Sequence, residues 1–326
     1  MGRRSVWSDE RVLAATSHFV PATDEVWRLQ RAEDPECRWF RTAVRGAPEP
    51  VAGSMQGTYV LTAGGECLGR INSADPERVL AMLEAARARW RGLPTAERHR
   101  PAPAAAAPEH RWEDSFPEDG LALVRFARDV GTSPAAPPLR PVNQDTAWFS
   151  RRELQGFVPE RGEPGASRAV APALVARLAR FSFVDNVRGQ TLPFSSKALR
   201  EQTLQSAVEA VDGDLWTLRL TGRTEATTDG ADPGEAYWRS ERPWPRSVRL
   251  ELLGTARWDA RRARFDSFQL VAIGTRRGRT TFNGRAGEDP EDLHAIGFLL
   301  RMAQPGHRVA PTYVNLYDAA WVKMPE

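Results

Sequence analysis

The chain has 326 residues, 41% of them hydrophobic, enough to bury a real core in two domains or in one large one. Its formal net charge is +3 and its pI near 9.2, yet the basic residues are almost all arginine, Lys197 and Lys323 being the only lysines, and they are interspersed with 42 acidic residues. That pattern describes a mixed, solvated surface and excludes a nucleic-acid-binding tract; apolar runs far below the roughly 18 residues of a membrane span exclude a transmembrane protein, and two cysteines are too few for a disulfide framework or a cysteine zinc site.

Ser8 or Asp9 caps a first helix running to Ala15, because a side-chain oxygen there accepts from an otherwise unpaired amide of the first turn. His18 to Ala22 reads as a strand. Asp34 and Pro35 open a second helix that carries Cys37, Phe40 and Val44 along one side. Thr58 to Thr62 and Cys67 to Ile71 flank a turn at Ala63–Glu66, where Gly64 and Gly65 supply the backbone angles a tight hairpin needs; Cys67 is expected opposite Thr58 or Tyr59. Asp75, Pro76 and Glu77 then start a helix whose Val79, Leu83, Ala86 and Trp90 form a buried stripe.

This order of elements resembles a thioredoxin-like domain. The segment Trp7 to Thr23 is similar to the helix and strand that follow that family's redox motif, and the Gly57–Ile71 hairpin with the helix from Pro76 is similar to its last two strands and last helix. The resemblance covers about 90 residues. It departs from the family in having Gln56 and Gly57 where a cis proline normally opens the hairpin strand, and in lacking the first strand and any Cys-x-x-Cys pair, whose place falls at or before Met1. It therefore implies a truncated α/β module over 1–92 without the usual oxidoreductase chemistry.

Residues 93–119 carry Pro94, Pro101, Pro103, Ala104 to Ala107, Pro108 and Pro117 among charges, a composition that reads as a linker. The remainder, 120–326, reads as one larger α+β domain built on an antiparallel sheet. Leu121 to Val130 is a strand and Pro134 to Pro141 a long loop. Ala171 to Phe181 and Phe194 to Val211 read as helices, the second with Leu199, Leu204, Val208 and Val211 on one side. Alternation predicts three strands of a meander: Trp216 to Arg223, Val248 to Gly254, and Phe268 to Gly274 after a turn at Asp259–Arg262. A helix over Pro290–Met302 and a strand over Arg308–Tyr317 are expected to cover or extend the sheet. The fold class is thus α+β throughout.

Candidate chemistry is sparse. Cys37, in the first turn of its helix and close to Arg38 and Arg41, is either a small apolar residue beside Phe40 or a thiol of depressed pKa that reacts with peroxide or disulfides. The five histidines form no metal-binding spacing, and Gly-x-Ser-x-Gly, Gly-x-Gly-x-x-Gly and the phosphate loop are missing, so neither metal nor cofactor is expected. In the loop Phe183–Gln190, the side chains of Asn186, Arg188 and Gln190 can recognise a carboxylate or amide, or Asp185 and Asn186 simply turn the chain. Arg276, Arg277 and Arg279 around Gly278, with Asn283 and Arg285, form either a solvated turn or an anion site. Trp238 and Trp244 lie in an irregular loop that folds back as a lid or presents a patch to a protein partner.

These features together lead to a cytoplasmic, two-domain binding or interaction protein, non-catalytic or vestigially redox, whose partner is another protein or a small anionic ligand. The alternative is a thiol oxidoreductase or peroxidase using Cys37.

Overall fold

The computed structural model describes residues 6–7, 9–24, 26–46, 55–73, 75–101, 111–131, 142–229 and 244–323, and the chain divides into two units, Met1–Arg111 and Trp112–Glu326.

In the first unit α1 (Glu10–Thr16) is capped by Asp9, whose carboxylate accepts from the Arg11 amide, as the sequence predicts. His18 to Ala22 is irregular and forms no strand; the chain turns at His18 and bends at Phe19, and although Phe19 packs against the small core, Val20 is almost fully exposed, so no alternating apolar face is formed. Helices α2 (Val26–Arg31) and α3 (Pro35–Arg45) follow; Asp34 caps α3 by accepting from the Cys37 amide, and Cys37, Phe40, Ala43 and Val44 are buried. Strands β1 (Thr58–Leu61) and β2 (Cys67–Ile71) form the expected hairpin, but Cys67 lies opposite Leu61, since Thr58 pairs with Ile71 at the far end. Helix α4 (Pro76–Gly92), capped by Asp75, buries Val79, Leu83 and Ala86 against Val60 and Leu68, whereas Trp90 is exposed and stacks beneath the Arg98 guanidinium of α5 (Thr95–Arg98). The only sheet of this unit among the described residues has two strands. Residues 93–119 are not wholly linker, because α5 and a 3-10 turn at Trp112–Ser115 occupy parts of that stretch.

The second unit is built on eight antiparallel strands in the order β4-β3-β10-β9-β8-β7-β6-β5: β3 (Leu121–Asp129), β4 (Val142–Phe149), β5 (Ser167–Ala169), β6 (Leu199–Asp212), β7 (Leu215–Thr228), β8 (Arg246–Asp259), β9 (Arg264–Gly278) and β10 (His294–Met302). A short helix α6 (Arg151–Leu154) follows β4, and α7 (Pro172–Arg177) continues into a π turn, Leu178–Ser182, that packs on the sheet against β4, β6 and β7. The α+β class and the antiparallel meander β7-β8-β9 match the sequence reading. Three expected elements do not. The helix expected over Phe194–Val211 is mostly β6, in which Leu204, Ser206 and Val208 alternate inward. The helix expected over Pro290–Met302 is turns followed by β10, with Ile296, Phe298 and Leu300 inward. Arg308–Tyr317 is irregular with one 3-10 turn, which sends Tyr313, Val314 and Tyr317 into the core. The Pro134–Pro141 loop lies outside the described residues.

Period two decides what each strand contributes. In β8 the inward Val248, Leu250, Leu252, Ala256 and Trp258 are buried, while outward Arg249 and Glu251 pair across the strand boundary with Glu225 and Arg223 of β7. Each inward leucine contributes about 1.5–3 kcal/mol by leaving water. The inner face is apolar over most of its length, where Phe157, Phe265 and Phe268 meet edge to face. Towards one end it changes character: in β9 the inward series Leu270, Ala272, Gly274 ends on Arg276, and in β3 the series Leu123, Arg125, Ala127 ends on Asp129. No helix among the described residues is long and apolar enough to cross a membrane.

Candidate functional site

The charged end of the inner face is formed by three arginines and three carboxylates from separate stretches of chain. Asp129 stands at the end of β3 and Arg276 near the end of β9. Asp185 and Arg188 come from the loop after the π turn, which is held close because a Cβ on Gly189 would lie 2.0 Å from the Phe282 carbonyl oxygen. Arg285 and Glu288 come from the turn between β9 and β10, where Gly284 adopts φ +70° and the Asn283 carbonyl oxygen Oδ1 accepts from the Thr280 amide.

Arg285 is the hub. Its Nε donates to Asp185 Oδ2 at 2.9 Å, its Nη2 to Asp185 Oδ1 at 2.7 Å and to Asp129 Oδ1 at 2.6 Å, and its Nη1 to Asp129 Oδ2 at 3.0 Å and Glu288 Oε1 at 3.3 Å. All of its nitrogens therefore meet carboxylate oxygens, which is the condition under which a guanidinium only 1% exposed is tolerated. Arg188 donates from Nε to Asp129 Oδ2 at 2.8 Å and from Nη1 to Glu288 Oε1 at 2.9 Å. Arg276 donates from Nη2 to Glu288 Oε2 at 2.6 Å, while its Nε, 3.4 Å from Asp185 Oδ2, makes no aligned hydrogen bond. The Asn283 side-chain amide donates to Asp185 Oδ2 at 3.3 Å.

Burial alone would raise the Asp129 and Glu288 carboxyls. The guanidiniums outweigh it: hydrogen bonding and charge from Arg285, with Arg188 and Arg276, hold Asp129 below the usual carboxylate range, and Arg276, Arg285 and Arg188 do the same for Glu288. For Arg285 burial works against the charge, but Asp185 and Asp129 raise its pKa above the ordinary arginine value.

A second polar cluster adjoins the first through consecutive residues Asp185 and Asn186. Arg125, inaccessible to solvent, donates to Asn186 Oδ1 at 3.0 Å, Asn143 Oδ1 at 3.2 Å and Asp145 Oδ2 at 3.3 Å, and its Nε has no acceptor among the described residues. Here burial wins and lowers the arginine pKa against the opposing charge of Asp145. Asp145 is pinned in turn by the amides of Thr146 and Thr312.

Of the residues singled out from sequence, Arg188, Arg276 and Arg285 are brought together, and Asn186, bonded to Arg125, adjoins them through its chain neighbour Asp185. Gln190 is not part of the cluster: its side chain is exposed and only its carbonyl is engaged, accepting from Thr280 Oγ1. The Arg276–Arg285 patch is not a solvated turn at its centre, since Arg276, Asn283 and Arg285 are buried; Arg277 and Arg279 do face outward, Arg277 pairing with Glu291 at 3.0 Å and Arg279 lying 4.2 Å over the Trp244 ring. Trp238 lies outside the described residues.

Cys37 belongs to the first unit. It occupies the first turn of α3 as expected, but the depressed pKa that the reactive-thiol alternative requires is reversed: burial, reinforced by hydrogen bonding to Asp34, pushes the thiol up to about 12 despite the nearby Arg28 charge. Cys67 is likewise buried and raised by burial, and both thiols are free. Among the described residues no group of three or more histidine, cysteine or acidic side chains is placed to hold a metal ion.

Sequence reasoning missed Asp129, Glu288, Arg125 and Asp145. A usable signal was present for the strand residues: a charge occupying the inward register between apolar residues, as Arg125 does between Leu123 and Ala127. Glu288 had no such signal, because its turn has no period. Set against protein-family models, curated proteins and solved structures, the chain matches none.

Proposed function

We propose that the chain is a non-catalytic two-domain binding protein whose larger domain recognises a small anion through Arg188, Arg276 and Arg285. The observation that carries this reading is the convergence of three guanidiniums, from three separate stretches of chain, on one place beneath an exposed turn. Guanidiniums gathered in this way suit planar or tetrahedral oxyanions, to which they donate two bonds at a time. The hairpin β1–β2 followed by α4 supports a thioredoxin-like reading of the smaller domain. A thiol activity at Cys37 lacks comparable support, because the sulfur has no solvent exposure and its pKa is high.

The test is an NMR titration of the full chain, and of its Cys37→Ser variant, with phosphate, sulfate, acetate and citrate at constant ionic strength, following the arginine Nε–H resonances. Saturable shifts at Arg188, Arg276 and Arg285 in both proteins are expected. Resonances that respond to none of these anions overturn the binding role, and a response lost in Cys37→Ser returns the site to the thiol.

A further inference from the structure

Glu288 differs in kind from the other two acids of the cluster. Asp129 is fixed by a central strand and Asp185 by a buried loop, whereas Glu288 hangs from a turn in which Ala286, Gly287, Asp289, Pro290, Glu291 and Leu293 are all exposed. Only its carboxylate reaches inward, and there its two oxygens serve all three arginines: Oε1 accepts from Arg188 and Arg285, Oε2 from Arg276.

Two nitrogens of this neighbourhood are buried without hydrogen-bond partners among the described residues: Arg276 Nε, which faces Asp185 Oδ2 at 3.4 Å, and His294 Nε2, 3.7 Å from Glu288 Oε2. Glu288 thus leaves both nitrogens without a hydrogen bond. The charge count points the same way: with Glu288 in place three guanidiniums face three carboxylates, and with it withdrawn the pocket holds one uncompensated positive charge. The turn is tethered from outside by the exposed Arg277–Glu291 pair and by Arg279 donating to the Ala286 carbonyl at 3.0 Å, contacts of a kind that contribute little.

We propose that Glu288 is a built-in stand-in for a phosphoryl group, and that Arg188, Arg276 and Arg285 form a site for phosphate or a phosphomonoester that binds by displacing the Ala286–Leu293 turn. The site rests on the anion-binding role proposed above and gives it a ligand class and a gate. A tetrahedral oxyanion brings more oxygens than a carboxylate and can reach nitrogens that Glu288 leaves bare, and its negative charge restores the balance that the withdrawn acid upsets. Because Glu288 is tied to the pocket by the chain itself, it competes at high effective concentration, so the intact protein binds the anion more weakly than the bare pocket would.

Inorganic phosphate is titrated calorimetrically into the wild-type chain, Glu288→Ala, and Glu288→Ala combined with Arg276→Met, with far-UV circular dichroism to confirm folding. Glu288→Ala is expected to bind phosphate at least about tenfold more tightly than wild type, and the added Arg276→Met to abolish binding. Equal affinity in wild type and Glu288→Ala overturns the displacement while leaving anion binding intact; no binding by either overturns both; binding that survives Arg276→Met overturns the site. If Glu288→Ala does not fold, Glu288→Gln is expected to show the same gain, and its absence there counts equally against the gate. Acetate binding as tight as phosphate overturns the phosphoryl assignment. Phenyl phosphate binding more tightly than free phosphate assigns the site to a monoester, and weaker binding assigns it to the free ion, either order supporting phosphoryl chemistry.

Discussion

The two ends of the sheet's inner face both hold buried side chains but are held by opposite means. At the apolar end Leu218, Leu220, Phe265 and Phe268 are buried, and their attraction is non-directional and summed over many small contacts. At the charged end Arg285, Arg276 and Asp185 are about as buried, but each depends on partners at fixed angles. The difference teaches how each end fails. An apolar site loses in proportion to the volume removed, while a buried ion cluster loses little until a partner goes and then exposes the full desolvation cost of the charge left behind.

Arg285→Met is expected to give the largest effect. It strands Asp129 and Asp185 without their main counter-charge, and should lower unfolding stability by about 3–5 kcal/mol in urea denaturation; a loss below about 1 kcal/mol would mean that the two ends do not differ in this way. The second effect is on pH. Asp129 and Glu288 titrate below their ordinary values in the folded protein, so the unfolded chain takes up protons first as the solution is acidified. Their stabilisation is complete above the ordinary carboxylate range and drains away as pH falls through the depressed folded values. Urea midpoints measured against pH should therefore decline on the acid side, and Asp129→Asn should flatten that decline. Third, Ile296→Val in β10, fully buried between β9 and β3, should cost only about 0.5–1.5 kcal/mol in the same assay, because a single methylene leaves. Smallest of all, a double-mutant cycle on the cross-strand pair Arg249–Glu225, 2.8 Å apart on the solvent face, should return less than about 1 kcal/mol and shrink with salt.

How much of this was legible in the sequence depended on whether a residue's partners were close along the chain. Strands β7, β8 and β9 were legible because long unbroken alternation has no helical counterpart. Strand β6 was misread because Ser206 takes an inward position between Leu204 and Val208, interrupting the apolar alternation and leaving a spacing of leucines and valines that fits a helix. Strand β10 lies between β9 and β3 and is apolar on both faces, Ile296 and Phe298 inward and Ala295 and Leu299 outward, so it had no period to detect, and Pro290 and Glu291 supplied a false helix start. Strand β4 went unnoticed because its first half, Val142–Asp145, is largely polar and its last residues are buried without alternation. The cluster was half legible. Its arginines stood out as charges near glycines, but Arg285 finds Asp129 at a separation of 156 residues, a pairing that no local pattern encodes.

The placement of β10 has a further consequence for the order of assembly. Strands β6 to β9 follow one another in the chain and each pairs with the next, so each new strand finds its neighbour already made. Strands β3 and β4 are synthesised first, yet they join the sheet only through β10, the last strand made, so the early hairpin must wait with Arg125 and Asp129 still hydrated. Pulse-labelled hydrogen exchange during refolding should show the amides of β7 and β8 protected before those of β3.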